Sequence, residues 1–494
     1  MFRLNIGTEP PTLDWSRATD AVSFNVIGNL MAGLTELDQA SEPSPMIAKR
    51  WEMLEEGRRI LFHLRQDVEW TDGKKVRAQD FEFAWKRLLD PGTASEYAYI
   101  LFDIENAEGF NRGDIRDPQT VGVQALDDWT LEVRLKAPAP YFVAITTFEA
   151  TFPQRRDVIE DKGSSWTEPQ NLITNGPFKL ASWTHESELR LSANPGFFLG
   201  KPAIARIIML MIPERTTALA MYETDQLDFL DNRSIPVLDR QRISTLPGAR
   251  KIPQFNSYYY AFATKHPPFD DVRLRRAFAM AIDRQILAKI LQGGVTPTRS
   301  WIPPTMLGHN PRIGLSFDPV KARQLLAQAG YPGGKGFPEV TLAYNTDETH
   351  KIVAEVAQSM WQRNLGVVVR LDNQEWKVYL SKLKTDPSNI FRLGWVADYP
   401  DPENFMNLFT SASGNNRTEW ENPRYDELVT RAGRETQSTI RVALYDQAQI
   451  LLCEQDAPII PLFNTIEITV LNPRFTGLRY TPMSRLILRG VRPR

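Results

Sequence analysis

Between residues 340 and 398 the spacing of apolar positions switches repeatedly between strand-like and helix-like. Val340–Tyr344 (VTLAY) predicts a strand. From about Asp347 to Leu365, Val353, Val356, Met360, Trp361 and Leu365 follow a 3.6-residue period, and Gly366 stands where a helix stops. Val367–Leu371 (VVVRL) predicts the next strand, Glu375–Leu383 (EWKVYLSKL) a second helix and Asn389–Trp395 (NIFRLGW) a third strand. This β-α-β-α-β order argues for parallel pairing with right-handed crossovers, hence an α/β fold. In open α/β sheets, ligands bind beyond the carboxyl ends of the strands. His350, at the start of the first helix, and Asp398, just past the third strand, fall there.

The first half of the chain mixes strands with short helices. Residues 60–64 (ILFHL) and 130–135 (TLEVRL) alternate like half-buried strands, and Gln79–Leu89 (QDFEFAWKRLL) carries apolar residues at helical spacing. Asn175-Gly176 predicts a turn between extended stretches at 171–174 and 178–183. No repeat or low-complexity segment divides the chain, and its 35 prolines are scattered. At 494 residues the chain is too long for one ordinary core, so two or three domains are expected. The net charge of -2, with no charge block, argues against a nucleic-acid partner. The 12 Trp, 14 Tyr and 25 Phe exceed what a core needs; they fit either lobe packing or an aromatic-lined cleft.

A single cysteine, Cys453, excludes an intramolecular disulfide. No run of ~18 apolar residues is present. The opening MFRLNIGTEPPTLD predicts a strand and a turn rather than a signal peptide, so an exported protein would have its signal outside this sequence. Enzymatic constellations are not found. The five histidines are far apart and none has metal-ligand spacing, and there is no G-x-S-x-G elbow. The glycine-rich YPGGKGF at 331–337 fails as a phosphate loop because Gly336 follows Lys335 where Ser or Thr is needed. No catalytic residue, metal or cofactor is therefore expected.

Eight segments carry a resemblance that runs nearly end to end: EPPTLDWSRATD at 9–20, DGKKVRAQDFEFAWKRLLDP at 72–91, TASEYA at 93–98, NGPFKL at 175–180, PPFDDVRLRRAFAMAIDR at 267–284, YNTDETHK at 344–351, NQEWKVYL at 373–380 and GWVADYPDP at 394–402. In this order they resemble the family 5 solute-binding proteins, most closely the oligopeptide-binding proteins of Gram-negative bacteria. The resemblance implies a two-lobed periplasmic-binding-protein-like fold (type II, with an extra domain) and a hinge between lobes. The first lobe would combine 1–33, 157–255 and 466–494, the extra domain would be 34–156, and the second lobe 256–465. It also implies a monomeric periplasmic receptor that captures short peptides in a cleft between the lobes and delivers them to an ABC permease at the inner membrane.

The family's W-x-x-D segment reads Trp395-Val396-Ala397-Asp398 here, and its aspartate is implied to receive the ligand's α-ammonium. As a lone residue, Asp398 reads rather as a solvated loop carboxylate that turns or caps the chain before Pro400. Gly394, Trp395 and Val396 are implied to pair with the peptide backbone as an added strand, and Thr19, Asp20 and Ala21 to pair from the other lobe. Arg392 and His350 match positions that meet the ligand's carboxylate; Arg suits it by its forked donors, and His350 sits in a helix first turn. Tyr97 and Trp376 match aromatic residues that line the cleft. Two departures stand out. A disulfide of some members would join the positions of Asn256 and Val396, and a basic residue used for short peptides aligns with Leu383, flanked by Lys382 and Lys384.

Three rival readings remain. One is a receptor for murein tripeptide, or for a non-peptide solute such as a metal chelate or sugar. The others are a ligand-sensing transcription regulator, which would need an added DNA-binding domain, and an enzyme.

Overall fold

The computed structural model describes all 494 residues, the side chain of Lys377 excepted. The chain forms two units, Met1–Ile252 with Glu467–Arg494, and Pro253–Ile466. It passes between them at 252–253 and at 466–467.

In the first unit, β1 (Phe2–Asn5) precedes α1 (Ala21–Leu30), β2 (Ala48–Leu54), β3 (Arg59–Leu64), α2 (Ala78–Leu89), β4 (Val123–Asp127) and β5 (Thr130–Arg134). β6 (Phe178–Thr184), β7 (Glu188–Ala193), β8 (Arg206–Leu210) and β9 (Phe229–Leu230) follow. One sheet runs β9-β1-β8-β7-β6, with β1 parallel to both its neighbours. A separate antiparallel sheet runs β2-β3-β5-β4. Strict in-out alternation along β3 buries Ile60, Phe62 and Leu64, as its sequence period requires. The expected helix is α2, whose Phe81, Ala84, Trp85 and Leu88 form the buried stripe against β4 and β5.

Asn175-Gly176 is not a hairpin turn. Residues 171–174 are not a strand, and Gly176 does not adopt positive φ. Instead the buried Asn175 amide clasps Ala32, accepting its N–H at 2.8 Å and donating to its carbonyl at 3.3 Å. Gly176 is needed for close approach: a Cβ there would lie 2.4 Å from the Leu30 carbonyl carbon.

The second unit contains β10 (Asn256–Phe262), α3 (Val272–Met280), α4 (Arg284–Ile290), β11 (Val295–Pro297) and α5 (Pro319–Gln328). The expected β-α-β-α-β series follows as β12 (Val340–Asn345), α6 (Glu348–Leu365), β13 (Val369–Gln374), α7 (Trp376–Thr385) and β14 (Ile390–Val396). β13 and β14 flank β12, both parallel to it. β13 starts two residues later than its apolar run suggests. Gly366 caps α6 in the left-handed conformation at φ 73°, and Val368 is 71% exposed before the strand begins. α6 buries Val353, Ala357, Met360, Trp361 and Leu365. Polar anchors fix its rotation: the Trp361 indole N–H donates to the Phe278 carbonyl (3.0 Å) and Asn364 to that of Ala281 (2.8 Å).

A last long strand, β15 (Ile459–Leu471), pairs antiparallel with β10 over Ile459–Phe463 and with β11 over Phe463–Thr465. Its final residues, Val470 and Leu471, pair with β9 of the first unit's sheet.

Candidate functional site

β14 lies between two neighbours that treat its ends differently. On one side β10 pairs along its whole length, from Asn256↔Val396 to Phe262↔Ile390. On the other side β12 pairs only at Ile390 and Phe391 and then diverges. The Tyr379 hydroxyl of α7 fills the fork, 2.5 Å from the Arg392 carbonyl and 3.3 Å from that of Ala343. The amide groups of alternate strand residues point to opposite edges. Since the Ala397 N–H donates to Phe255 of the β10 side (2.8 Å), those of Gly394 and Val396 face the edge that β12 has left. Both residues are exposed, and among the described residues no strand covers that edge.

Past β14 the chain turns inward, and Asp398 is 8% exposed. Asn404 positions it by accepting both the Trp395 indole N–H (2.9 Å) and the Asp398 backbone N–H (3.2 Å). Arg441 holds Asp401 through both oxygens at 2.6 and 2.5 Å, and Glu403 accepts from the Tyr399 hydroxyl.

At the other end of β14, Arg392 lies over the Tyr258 ring, its guanidinium carbon 4.5 Å from the ring centre. The register makes this possible. Arg392 faces Tyr260 and Gly394 faces Tyr258, so the guanidinium reaches diagonally across a glycine. A Cβ at Gly394 would stand 3.2 Å from an Arg392 Nη. His350 reaches the same ring from the first turn of α6, with centres 5.5 Å apart. Phe463 stacks on Tyr258 at 4.4 Å. Arg392 Nη donates to Asn345 at 3.3 Å.

Burial and the charge of Arg392 push the His350 imidazole down to about 4, against a smaller pull from Asp347. His350 is therefore neutral at pH 7. The helix N-terminus is also already capped, because Asp347 accepts the Thr349 and His350 N–H groups. Two buried polar atoms around this stack, His350 Nδ1 and Arg392 Nε, have no hydrogen-bond partner among the described residues. Such groups call for a partner.

Trp376 opens α7, 46% exposed, and stacks on Tyr379. Leu383 is a buried residue of the same helix, and Lys382 lies 3.6 Å from Asp372, so neither supplies a free cation. The disulfide positions Asn256 and Val396 are directly paired; here the Asn256 side chain instead ties β10 to β15 through Thr465.

In the first unit, Asp20 is the N-cap of α1, accepting the Val22 and Ser23 N–H groups at 2.9 Å. Ala21 is already helical, so the extended stretch expected at Thr19–Ala21 ends one residue early. Tyr97 is half-buried and packs on Phe24 of α1, at 5.7 Å, and on Phe148, at 4.9 Å.

The site residues that sequence reasoning missed are Tyr258, Asn345, Tyr379 and Asn404. Asn345 and Tyr379 lie within the family segments 344–351 and 373–380, and Tyr258 belongs to the aromatic run Tyr258-Tyr259-Tyr260.

Residues 42–417 match the sequence family described as "Bacterial extracellular solute-binding proteins, family 5 Middle". The chain belongs to that family. It is similar to the oligopeptide-binding protein OppA of Bacillus subtilis, 35% identical over 94% of this chain and 87% of that protein. It is also similar to a probable deoxycholate-binding periplasmic protein, YgiS, of Escherichia coli, 34% identical over 97% of this chain and 90% of that protein. Among solved structures, the murein tripeptide binding protein MppA of Escherichia coli superposes with a TM-score of 0.85 at 32% identity, covering 99% of this chain and 97% of that one. The fold is the two-lobed periplasmic-binding-protein-like fold that the sequence resemblance implied.

Proposed function

We propose that this solute-binding protein captures short peptides and delivers them to an ABC permease. The observation that carries the reading is the open edge of β14, which ends at the buried Asp398 and begins at the Arg392–Tyr258–His350 stack. A peptide added along Gly394–Val396 as a strand is held by its backbone, which makes recognition tolerant of side-chain identity. Its α-ammonium meets Asp398, since a buried ammonium needs a carboxylate. Its carboxylate meets Arg392, whose forked donors suit it. Six residues of strand separate Arg392 from Asp398, about 20 Å at ~3.3 Å per residue. Side chains reaching inward from both ends favour a tripeptide or tetrapeptide. Thr19, Asp20, Tyr97 and Trp376 are the further contacts in this reading.

The same reading makes the protein a periplasmic monomer that docks at the inner membrane and has no catalytic role or cofactor. It also treats 34–156 as an inserted domain, which the separate sheet β2-β3-β5-β4 supports, beside a first lobe of 1–33, 157–255 and 466–494 and a second of 256–465. Murein tripeptide is the nearest alternative ligand, on the likeness to MppA. A bile acid, metal chelate or sugar has no ammonium for Asp398.

Calorimetry with trialanine tests the assignment. Asp398→Asn is expected to weaken binding by ~3–5 kcal/mol, the cost of breaking a buried pair, and N-acetylation of the peptide to cost the wild type as much. Equal affinity for free and acetylated trialanine would sink the reading. Tighter binding of murein tripeptide or deoxycholate in parallel titrations would reassign the ligand.

A further inference from the structure

We propose that the cavity between α4, β11 and the 298–317 loop of the second unit binds a small oxyanion of the phosphate or sulfate class. The cavity holds about 480 Å³ and is lined by Arg284, Arg299, His309, Thr296, Thr298 and Ser316. Two guanidiniums line it, and neither forms a salt bridge among the described residues. Arg284 is only 8% exposed. Its Nε donates to the Pro461 carbonyl (2.7 Å) and one Nη to that of Leu315 (3.2 Å), and its second Nη has no hydrogen-bond partner among the described residues. Arg299 repeats the arrangement: Nε donates to the Pro311 carbonyl (3.1 Å), one Nη to the Ser316 hydroxyl, and the second Nη is left over.

Carbonyl partners orient a guanidinium but do not neutralise it. Burial pushes Arg284 down to about 10, and the charge of Arg299 adds to the effect, so each cation is felt by the other. Asp283 shares the wall, with Oδ1 engaged by the Gln285 N–H (2.9 Å), so two positive charges stand against one negative. His309 Nδ1 lies 2.7 Å from the Ile302 carbonyl. A carbonyl only accepts, so Nδ1 carries the proton, and Nε2 of the neutral ring is an acceptor that adds no donor for the anion. A tetrahedral oxyanion supplies the missing charge and accepts from both spare Nη groups, the arrangement that charge-assisted hydrogen bonds favour. None of these residues belongs to the β14 edge, so this site stands or falls apart from the peptide reading.

The test is titration of the intact protein with inorganic phosphate, and separately with sulfate and acetate, in chloride of matched ionic strength. Calorimetry and thermal unfolding supply the readouts. We expect saturable stabilisation by phosphate or sulfate that chloride does not reproduce. Arg299→Gln should weaken it roughly tenfold or more, as loss of a charge-assisted bond implies, and leave trialanine binding unchanged. Stabilisation that does not saturate, or that is equal in wild type and Arg299→Gln, is a general salt effect and overturns the proposal. A response to acetate equal to that of phosphate would reassign the class to carboxylates and overturn it too.

Discussion

His350 carries a measurable signature of its surroundings. Its folded-state value near 4 lies below the ordinary value of 6.5, because burial and Arg392 both oppose a positive imidazole. Between those two values the unfolded chain binds a proton that the folded protein refuses. Stability therefore falls as pH drops from about 6.5 towards 4, by ~2–3 kcal/mol for this one group, and is retained above 6.5. His350→Gln is expected to flatten that part of the urea-unfolding profile; an unchanged slope would mean that the imidazole titrates normally. A ligand carboxylate arriving beside Arg392 screens the guanidinium and raises His350. Peptide binding at pH 5.5 is then accompanied by proton uptake, read as a dependence of calorimetric heat on the buffer's ionisation enthalpy. Equal heats in all buffers would place the carboxylate elsewhere.

β14 is held on one edge and open on the other, and this separates its structural from its proposed functional hydrogen bonds. The Val396 N–H faces the open edge, while the Ala397 N–H is spent on Phe255. Val396→Pro therefore deletes an outward donor without breaking the ladder to β10, and proline is tolerated on such an edge. Peptide affinity is expected to fall by about 1 kcal/mol or more, with the thermal midpoint nearly unchanged. A large loss of stability with unchanged affinity would show that this edge serves the fold and not the ligand. That β14 exists was readable from NIFRLGW, and the flanking helices from their 3.6-residue period. That β12 leaves it after Phe391 was not. The divergence depends on Tyr379 inserting its hydroxyl between the two strands, and no local pattern announces that. The Asn175-Gly176 misreading has a similar cause. The dipeptide's local preference for a turn gave way to a buried amide clasp on Ala32, a residue 143 positions away.

At the scale of the molecule, only two crossings, at 252–253 and 466–467, connect the units. The family resemblance implies hinge closure around the ligand, and a ligand that selects a closed state shifts the population towards it. Small-angle scattering is expected to show a smaller radius of gyration with saturating trialanine. Unfolding should be harder by about 2.7 kcal/mol at ~100 times the dissociation constant. A constant radius with the ligand bound would argue against closure.

The sequence by itself determined the α/β class, the β12–β14 series with its parallel order, the family and the segment that ends in Asp398. These rest on periodicity and on short contiguous motifs, which survive in one dimension. The tertiary structure decided which residues meet. Arg392, Tyr258 and His350 come from three elements, and Tyr97 meets α1 at Phe24. It also decided that His350 is neutral, since a pKa depends on burial and on charges brought near by folding. Above all it decided the register of β10 on β14. A period of two specifies a strand and its faces, but not the partner or the offset; packing of both faces selects those, and here it sets Gly394 against Tyr258 so that the guanidinium can cross.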